Sequence, residues 1–326
     1  MLSEAKHPDL RRTVAPLCAA AFAIALPFAL RAFGLDFYLS LASRIVVFGV
    51  AATSLNLVLG YGGMVSFGHA AFVGVGAYVT GVMISDGVQS GVLHLAATVA
   101  ITALVALVIG LVSLRTRGVY FIMITLAFAQ MLYYLANSVK GYGGDEGLNI
   151  RARSLFSLGA WTLDLKNPLA FYYVALAVLA LSLVALARFV PSRFGRAVLA
   201  LRDDDVRAEA LGFPVYRCKL AVFVVAGALG GVAGALSVNL QGYVSPNVLH
   251  WTQSGTLMVM VILGGVATVW GGLVGAAVLL LLQEVLGAYT EHWEFWTGWV
   301  LLAVVLFARQ GLVGLLAKRA REKAPR

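Results

Sequence analysis

The chain has 326 residues, of which 61% are hydrophobic and only 12% charged, with a mean hydropathy of +0.90 and a formal net charge of +9. A soluble domain carries roughly 25% charged and 45–50% apolar residues, so a soluble fold is excluded: too much apolar surface would remain in water. In lipid every backbone polar group needs an internal partner, and apolar runs of about 20 residues suit helices crossing about 30 Å of hydrocarbon, not barrel strands of about 10 alternating residues.

A tail, 1–13, precedes a first span at 14–33. This span reads as a retained helix rather than a cleaved signal peptide, because no clean small-residue cleavage site follows it and Arg31, Gly34 and Asp36 form a short loop. Further spans fall at 39–59, 64–84, 92–113 and 118–138. A long loop, 139–169, carries Gly141-Tyr142-Gly143-Gly144-Asp145-Glu146-Gly147 and leads to a span at 170–190. A second long loop, 191–218, leads to spans at 219–238, 252–270, 271–289 and 295–315, and a basic tail occupies 317–326. The expected fold is all-α, a transmembrane bundle of about ten spans over 14–316. The boundaries near 60–64 and 270–271 are uncharged glycine turns, so either could be a break inside a kinked or re-entrant segment.

Lys and Arg near span ends set orientation. With the N-terminus inside, 18 basic residues face the cytoplasm, including seven from Arg188 to Lys219 and six from Arg309 to Arg326, against five outside. Both termini and 191–218 are then cytoplasmic, and 139–169 is external. The net charge is therefore a topology signal and not a nucleic-acid patch, and Lys318, Arg319, Arg321, Lys323 and Arg326 are read as an anchor on anionic lipid headgroups. Ten spans divide into halves of opposite topology, the arrangement of an inverted 5+5 repeat. Sequence self-similarity between the halves is faint, as in 60–63 against 264–272.

Polar residues inside the spans are few. Arg44 lies in the second span, from which it can snorkel outward. Glu284 lies in the ninth, near enough to its end to reach the interface. His7, His94, His250 and His292 are scattered, and Cys18 and Cys218 are far apart. No metal-ligand spacing, disulfide framework, nucleotide-binding loop or catalytic constellation occurs, so no metal, cofactor or enzymatic activity is expected.

Two stretches stand out. The first is Asn56 to Tyr78, with glycines at 60, 62, 63, 68, 74 and 76. Helix interiors lose roughly 1 kcal/mol per Gly relative to Ala, so these glycines mark close backbone approach or unwinding. Gly74 and Gly76 read as helix packing. Asn56, Gly60, Gly62, Gly63, Ser66, Gly68 and His69 are candidates for a translocation pathway, with packing or a backbone hydrogen bond the competing reading for His69. Gly62→Leu or Gly63→Leu is expected to do more harm than Gly76→Ala. The second stretch is the loop from Pro191 to Pro214. Val198, Leu201, Ala208 and Leu211 recur at helical spacing on one face, and Asp203 and Arg207 sit four apart on another. One or two short amphipathic surface helices are expected, with an apolar stripe that wants lipid or another protein.

Asn56 to Tyr78, then Arg202-Asp203, Ala208-Glu209-Ala210-Leu211-Gly212 and Lys219-Leu220-Ala221-Val222-Phe223, resemble the branched-chain amino acid ABC permeases of the LivM type over about 40–315. The resemblance implies a permease subunit of a bacterial inner-membrane importer. It would pair with itself or a sister permease, bind ATP-binding cassette subunits that hydrolyse ATP, and receive substrate from an external binding protein. It also implies that the inner loop couples to the ATPase through Arg202, Asp203, Arg207, Glu209, Ala210 and Gly212. Glu209, Ala210 and Gly212 match the Glu-Ala…Gly core of that loop, while Leu211 stands where a second Ala is usual. Leucine, isoleucine and valine are the implied substrates, with urea, amides and aromatic acids as alternatives. An ion-coupled secondary transporter is the rival class, for which Glu284 alone supplies an intramembrane carboxylate.

Overall fold

The computed structural model describes residues 21, 23–28, 30–31, 36–150, 152–158, 161–307 and 311–315. The tails 1–13 and 317–326 and Cys18 lie outside the described residues. The described positions between 21 and 31 are helical, and the Tyr172 and Tyr173 hydroxyls donate to the carbonyls of Ala23 and Ile24. The helices that follow are α1 (Asp36–Asn56), α2 (His69–Ser85), α3 (Gly91–Ser113), α4 (Val119–Ser138), α5 (Pro168–Phe189), α6 (Arg193–Asp203), α7 (Asp205–Ala210), α8 (Val215–Gln241), α9 (Trp251–Gly264), α10 (Gly271–Tyr289) and α11 (Trp293–Phe307). Among the described residues six helices are long and apolar enough to cross a membrane, while α2, α9 and α11 are shorter apolar helices. The protein is a helical, multi-pass membrane protein.

Local chemistry sets several boundaries. Asn167 caps α5, its side chain accepting from the Leu169 N–H, with Pro168 in the first turn where a missing N–H costs nothing. Gly242 ends α8 in the left-handed conformation at φ 69°. The Arg153 guanidinium donates to the carbonyls of Val238 and Leu240, placing a cation at the negative end of α8; burial lowers its pKa. Strands modify the all-α expectation. β1 (Leu148–Asn149) pairs with β4 (Tyr243–Val244), and β2 (Leu155–Leu158) with β3 (Trp161–Asp164), all antiparallel. Residues 139–169 are thereby tied to the end of α8 rather than forming a free loop.

The bundle has two distinguishable ends. The strand end holds β1–β4. The loop end holds the turn after α1, the 114–118 turn, α6–α7 and the 265–270 turn. Between them α8 packs against α1, α2 and α3. At the α2–α8 crossing the backbones touch. A Cβ at Gly76 would strike the Gly231 backbone, and one at Gly234 would strike the Val73 carbonyl and the Ala77 amide. This close approach of small residues is the usual means of joining helices in lipid. One methyl at Gly76 is thus a larger insult than a packed helix face suggests: a Cβ there meets the Gly231 backbone, while one at Gly62 meets the Val58 carbonyl and the Met64 tip. Gly76→Ala should destabilise the permease by about 3 kcal/mol, the upper end of overpacking costs. Thermal unfolding in detergent checks this, with a clear loss of midpoint and of monodisperse yield expected.

Candidate functional site

The end of α1 does not continue as a regular helix. Leu57–Tyr61 forms a π-helical turn, closed by Gly62 N–H to the Leu57 carbonyl at 3.0 Å and Met64 N–H to the Val58 carbonyl at 3.1 Å. Such turns mark functional positions in helices. The chain then runs non-helically over 62–68, turning through Gly63 at φ 67°. It doubles back into the bundle before α2 begins, because His69 Nε2 lies 2.7 Å from the Ser54 hydroxyl. Ser54 is seven residues before Tyr61, or about 10 Å along a helix. The segment 60–69 is thus a break with a re-entrant return, one of the forms its glycines allow.

A second break lies opposite the first. α9 ends at Gly264, short of the expected 270, and the chain turns through Gly265 at φ 126° and Ala267 at φ 59°. The two breaks are stitched by Asn56, which is fully buried. Its Oδ1 accepts from the Ala267 N–H at 3.0 Å, and its Nδ2 donates to the Thr268 carbonyl at 2.8 Å. Gly60 sits beneath this junction, where a Cβ would meet Asn56 Oδ1 and the Ala267 backbone. The starts of α2 and α9 also meet: the Ala70 N–H donates to the Ser254 hydroxyl at 2.8 Å, and the Phe67 and Trp251 rings lie 6.1 Å apart.

The candidate pathway residues are therefore together. Asn56 and Gly60 form the junction, Gly62 and Gly63 the turn, and buried Ser66 accepts from the Gly68 N–H. Gly68 packs on the Thr125 carbonyl of α4. His69 is fully buried, between Ser54 and the edge-on Phe72 ring. Removing the Asn56 side chain strands one buried donor and one buried acceptor, each worth about 1–3 kcal/mol. Asn56→Ala should therefore cost about 3 kcal/mol, measured as chemical or thermal unfolding of the purified protein, with a conservative apolar change at exposed Leu281 as the neutral comparison.

The loop between α5 and α8 forms two helices, α6 and α7. Asp204, at φ −159° and ψ 102°, separates them and caps α7, its Oδ1 accepting from the Arg207 N–H at 3.0 Å. This break corrects two expectations. Arg207 pairs with Asp204 at 3.4 Å rather than with Asp203, because the helical i,i+4 register does not survive the break. The apolar stripe is also split. Val198, Leu201 and Ala208 turn inward: Val198 joins Tyr61 and Met64, and Leu201 and Ala208 pack with Cys218 and Val215. Leu211 falls outside this set at 73% exposed, beside Val206 at 68%.

The polar residues of this loop divide likewise. Arg202 is itself exposed, yet its Nη1 reaches back to donate to the Gly60 carbonyl at 2.8 Å, with Gly63 against its aliphatic stem. Asp205 and Lys219 pair at 2.5 Å in a mostly buried ion pair that fixes α7 on α8. Asp203, Glu209, Ala210 and Gly212 are exposed. Glu209 meets Arg117 at 3.7 Å on the surface, a contact worth little. A cleft of ≈ 730 Å³ runs between α7, the 114–118 turn and 63–65. The sequence reading missed Ser54, Asp204, Ser254, Ala267 and Thr268. A cap among three consecutive Asp residues was the one legible signal.

A family model for the branched-chain amino acid transport system permease component matches residues 37–309. The chain belongs to this permease family. The permease is 28% identical over 325 residues to the high-affinity branched-chain amino acid transport system permease protein LivM of Salmonella typhimurium, covering 93% of this chain and 75% of that one. It is 25% identical over 284 residues to the corresponding LivH protein of Escherichia coli, covering 82% and 91%. The L-arabinose ABC transporter permease protein AraH of Azospirillum brasilense is 28% identical over 272 residues, covering 81% and 77%. No solved structure matches the chain. The permease match spans both breaks, the Asn56 junction and α6–α7.

Proposed function

We propose that this permease is the membrane subunit of an ATP-driven importer of branched-chain amino acids. The match over 37–309 carries the reading. In it the loop end is cytoplasmic, the strand end external, the span count ten with both termini inside, and the halves inverted. α2, entered through the first break, and α9, left through the second, have facing starts, which supports an inverted pair. A second copy or a sister permease completes the transporter, an external binding protein delivers substrate at the strand end, and ATPase subunits dock at the loop end.

The chain's own contribution is transmission. Val206, Leu211 and Phe213 give α7 and its exit an apolar exposed tip, flanked by Glu209 and Arg207. α6 is seated on the bundle by Val198 and Leu201 and reaches the Gly60 carbonyl through Arg202. A docked ATPase that moves α6–α7 therefore pulls on the turn where α1 gives way to α2, and Asn56 passes the displacement to the end of α9. Nucleotide shifts the two access states only through different contacts in each, and this chain of contacts is where they differ. Gly60, Gly62, Gly63, Ser66, Gly68 and His69 act here as the hinge beside the pathway.

AraH favours a second reading, a sugar substrate on the same machinery. Uptake of labelled leucine by cells expressing the whole transporter, competed with isoleucine, valine, urea, an aromatic acid and L-arabinose, separates these. Competition confined to the branched-chain amino acids is expected; competition by arabinose alone would replace the substrate. In cells carrying the permease without its ATPase, and without Cys18 and Cys218, Gly141→Cys should react with an impermeant thiol reagent from outside and Leu211→Cys only after lysis. Labelling of both from outside would sink the topology.

A further inference from the structure

Arg44 is an unusual residue to find in this bundle. It lies in the span Phe37–Tyr61, seven residues from its start, or about 10 Å along the helix. Among the described residues it has no ion-pair partner, and its recorded contact is the face of the Phe48 ring at 5.8 Å. Arg44 is exposed on the bundle, and a cation placed within a span with no carboxylate beside it is a candidate pathway residue.

Arg44 lines a partly open cavity of ≈ 260 Å³ bordered by α1, α2, α8, α9 and the segment leading into α9, and Arg44, Gln241 and Asn247 are themselves exposed at it. The lining has two characters. Arg44, Gln241, Asn247 and Gln253 supply a cation and three amides, while Phe48, Val73 and Leu257 supply an apolar wall. Among the described residues no carboxylate lines it. The starts of α2 and α9 border it through Ala70 and Gln253 and add the positive ends of their dipoles. Small-molecule sites combine an apolar lining with a few convergent polar groups, and drug-sized ones occupy about 300–1,000 Å³; this one is smaller, as a metabolite requires.

Resting on the proposed importer reading, we propose that this cavity is a substrate way-station and that Arg44 selects for a carboxylate. The guanidinium binds the carboxylate of a small zwitterion, the amide oxygens take its ammonium, and the Phe48, Val73 and Leu257 wall takes a branched aliphatic side chain. Arg presents paired N–H donors that match a carboxylate. Neutral solutes such as urea or a sugar leave that charge unanswered, so the cavity discriminates against them independently of the binding protein.

The test uses the complete transporter, in a background without Cys18 and Cys218, with leucine as the probe. Ser237, which also lines the cavity, is replaced by Cys as a reporter. An anionic thiol reagent should modify S237C at least about ten times faster than a cationic one of equal size, and leucine delivered by the binding protein should slow that reaction. R44Q should erase the charge preference and lower leucine uptake at least about tenfold at saturating binding protein, while R44K should restore part of both. A preference that survives R44Q overturns the proposal, as does an uptake loss in R44Q without loss of preference, or a preference that leucine does not affect. Absence of ATP-driven leucine uptake by the unaltered transporter would instead reject the importer reading, and normal uptake in R44Q would reject only the role of Arg44.

Discussion

Leu211→Asp should leave the permease inserted and folded but strip it of its ATPase. Leu211 is 73% exposed and makes no core contact, so the folded permease loses little when it is changed. At a docked interface it would be buried. Burying a Leu side chain contributes about 1.5–3 kcal/mol, and placing a carboxylate there adds a desolvation cost. The combined loss is about 3 kcal/mol, or about a hundredfold in affinity. Val206→Asp should act in the same direction. Gly212→Val reaches the same end by another route. Gly212 sits at φ 85°, where a β-branched residue is strained, so the turn into Phe213 and Pro214 shifts and carries the tip with it. Glu209→Lys should weaken docking by reversing the charge beside the tip. A helix that merely rests on lipid predicts near-normal ATPase recovery and uptake in all four variants. Co-purification of the ATPase with each variant, alongside substrate-stimulated ATP hydrolysis, decides between them.

Arg202→Ala should give the opposite dissociation, with the ATPase retained and hydrolysing but transport lost. Arg202 lies on α6 rather than at the docking tip, and although exposed it holds the Gly60 carbonyl through Nη1 at 2.8 Å. A hydrogen bond from a charged donor is worth about 1.5–3 kcal/mol, comparable to the about 1–3 kcal/mol by which coupled sites influence one another. Losing it should lower leucine uptake at least about tenfold. Val198 and Leu201 would keep α6 seated, so docking survives. Lys in its place can reach the carbonyl with one donor and should recover part of the uptake. Measuring ATP hydrolysis and uptake on one preparation checks the claim, and equal losses of both would show that Arg202 only stabilises the fold.

The sequence made the helices legible because lipid imposes a strong pattern: the long apolar runs that end at Ser113, Ser138 and Phe189 needed no tertiary information. It also marked both glycine turns as suspect. What it could not reveal is why those turns are stable. Ala267 at φ 59° is satisfied by Asn56, 211 residues earlier in the chain, and no local periodicity encodes such a pairing. The amphipathic pattern of the inner loop predicted its helices but not their orientation. A helical wheel assumes one continuous helix, and Asp204 ends the first helix by capping the second. Val198 and Leu201 thereby face the bundle while Leu211 faces out. Arg202 was marked as a coupling residue on the resemblance alone, and no local pattern revealed that its long side chain reaches the Gly60 carbonyl beside the π-helical turn. Of the strands at 155–164, only the second carried a sequence signal, the alternation Trp161-Thr162-Leu163-Asp164, which is easily overlooked beside long apolar spans.

The central claim is that transport through this permease is driven by ATP on separate subunits. The direct measurement is leucine accumulation in proteoliposomes holding the permease, its partner permease and its ATPase, with the loaded binding protein added at the strand end. Accumulation should require ATP at the loop end and persist when proton and sodium gradients are collapsed. Accumulation driven by an ion gradient in the absence of ATP would contradict the account.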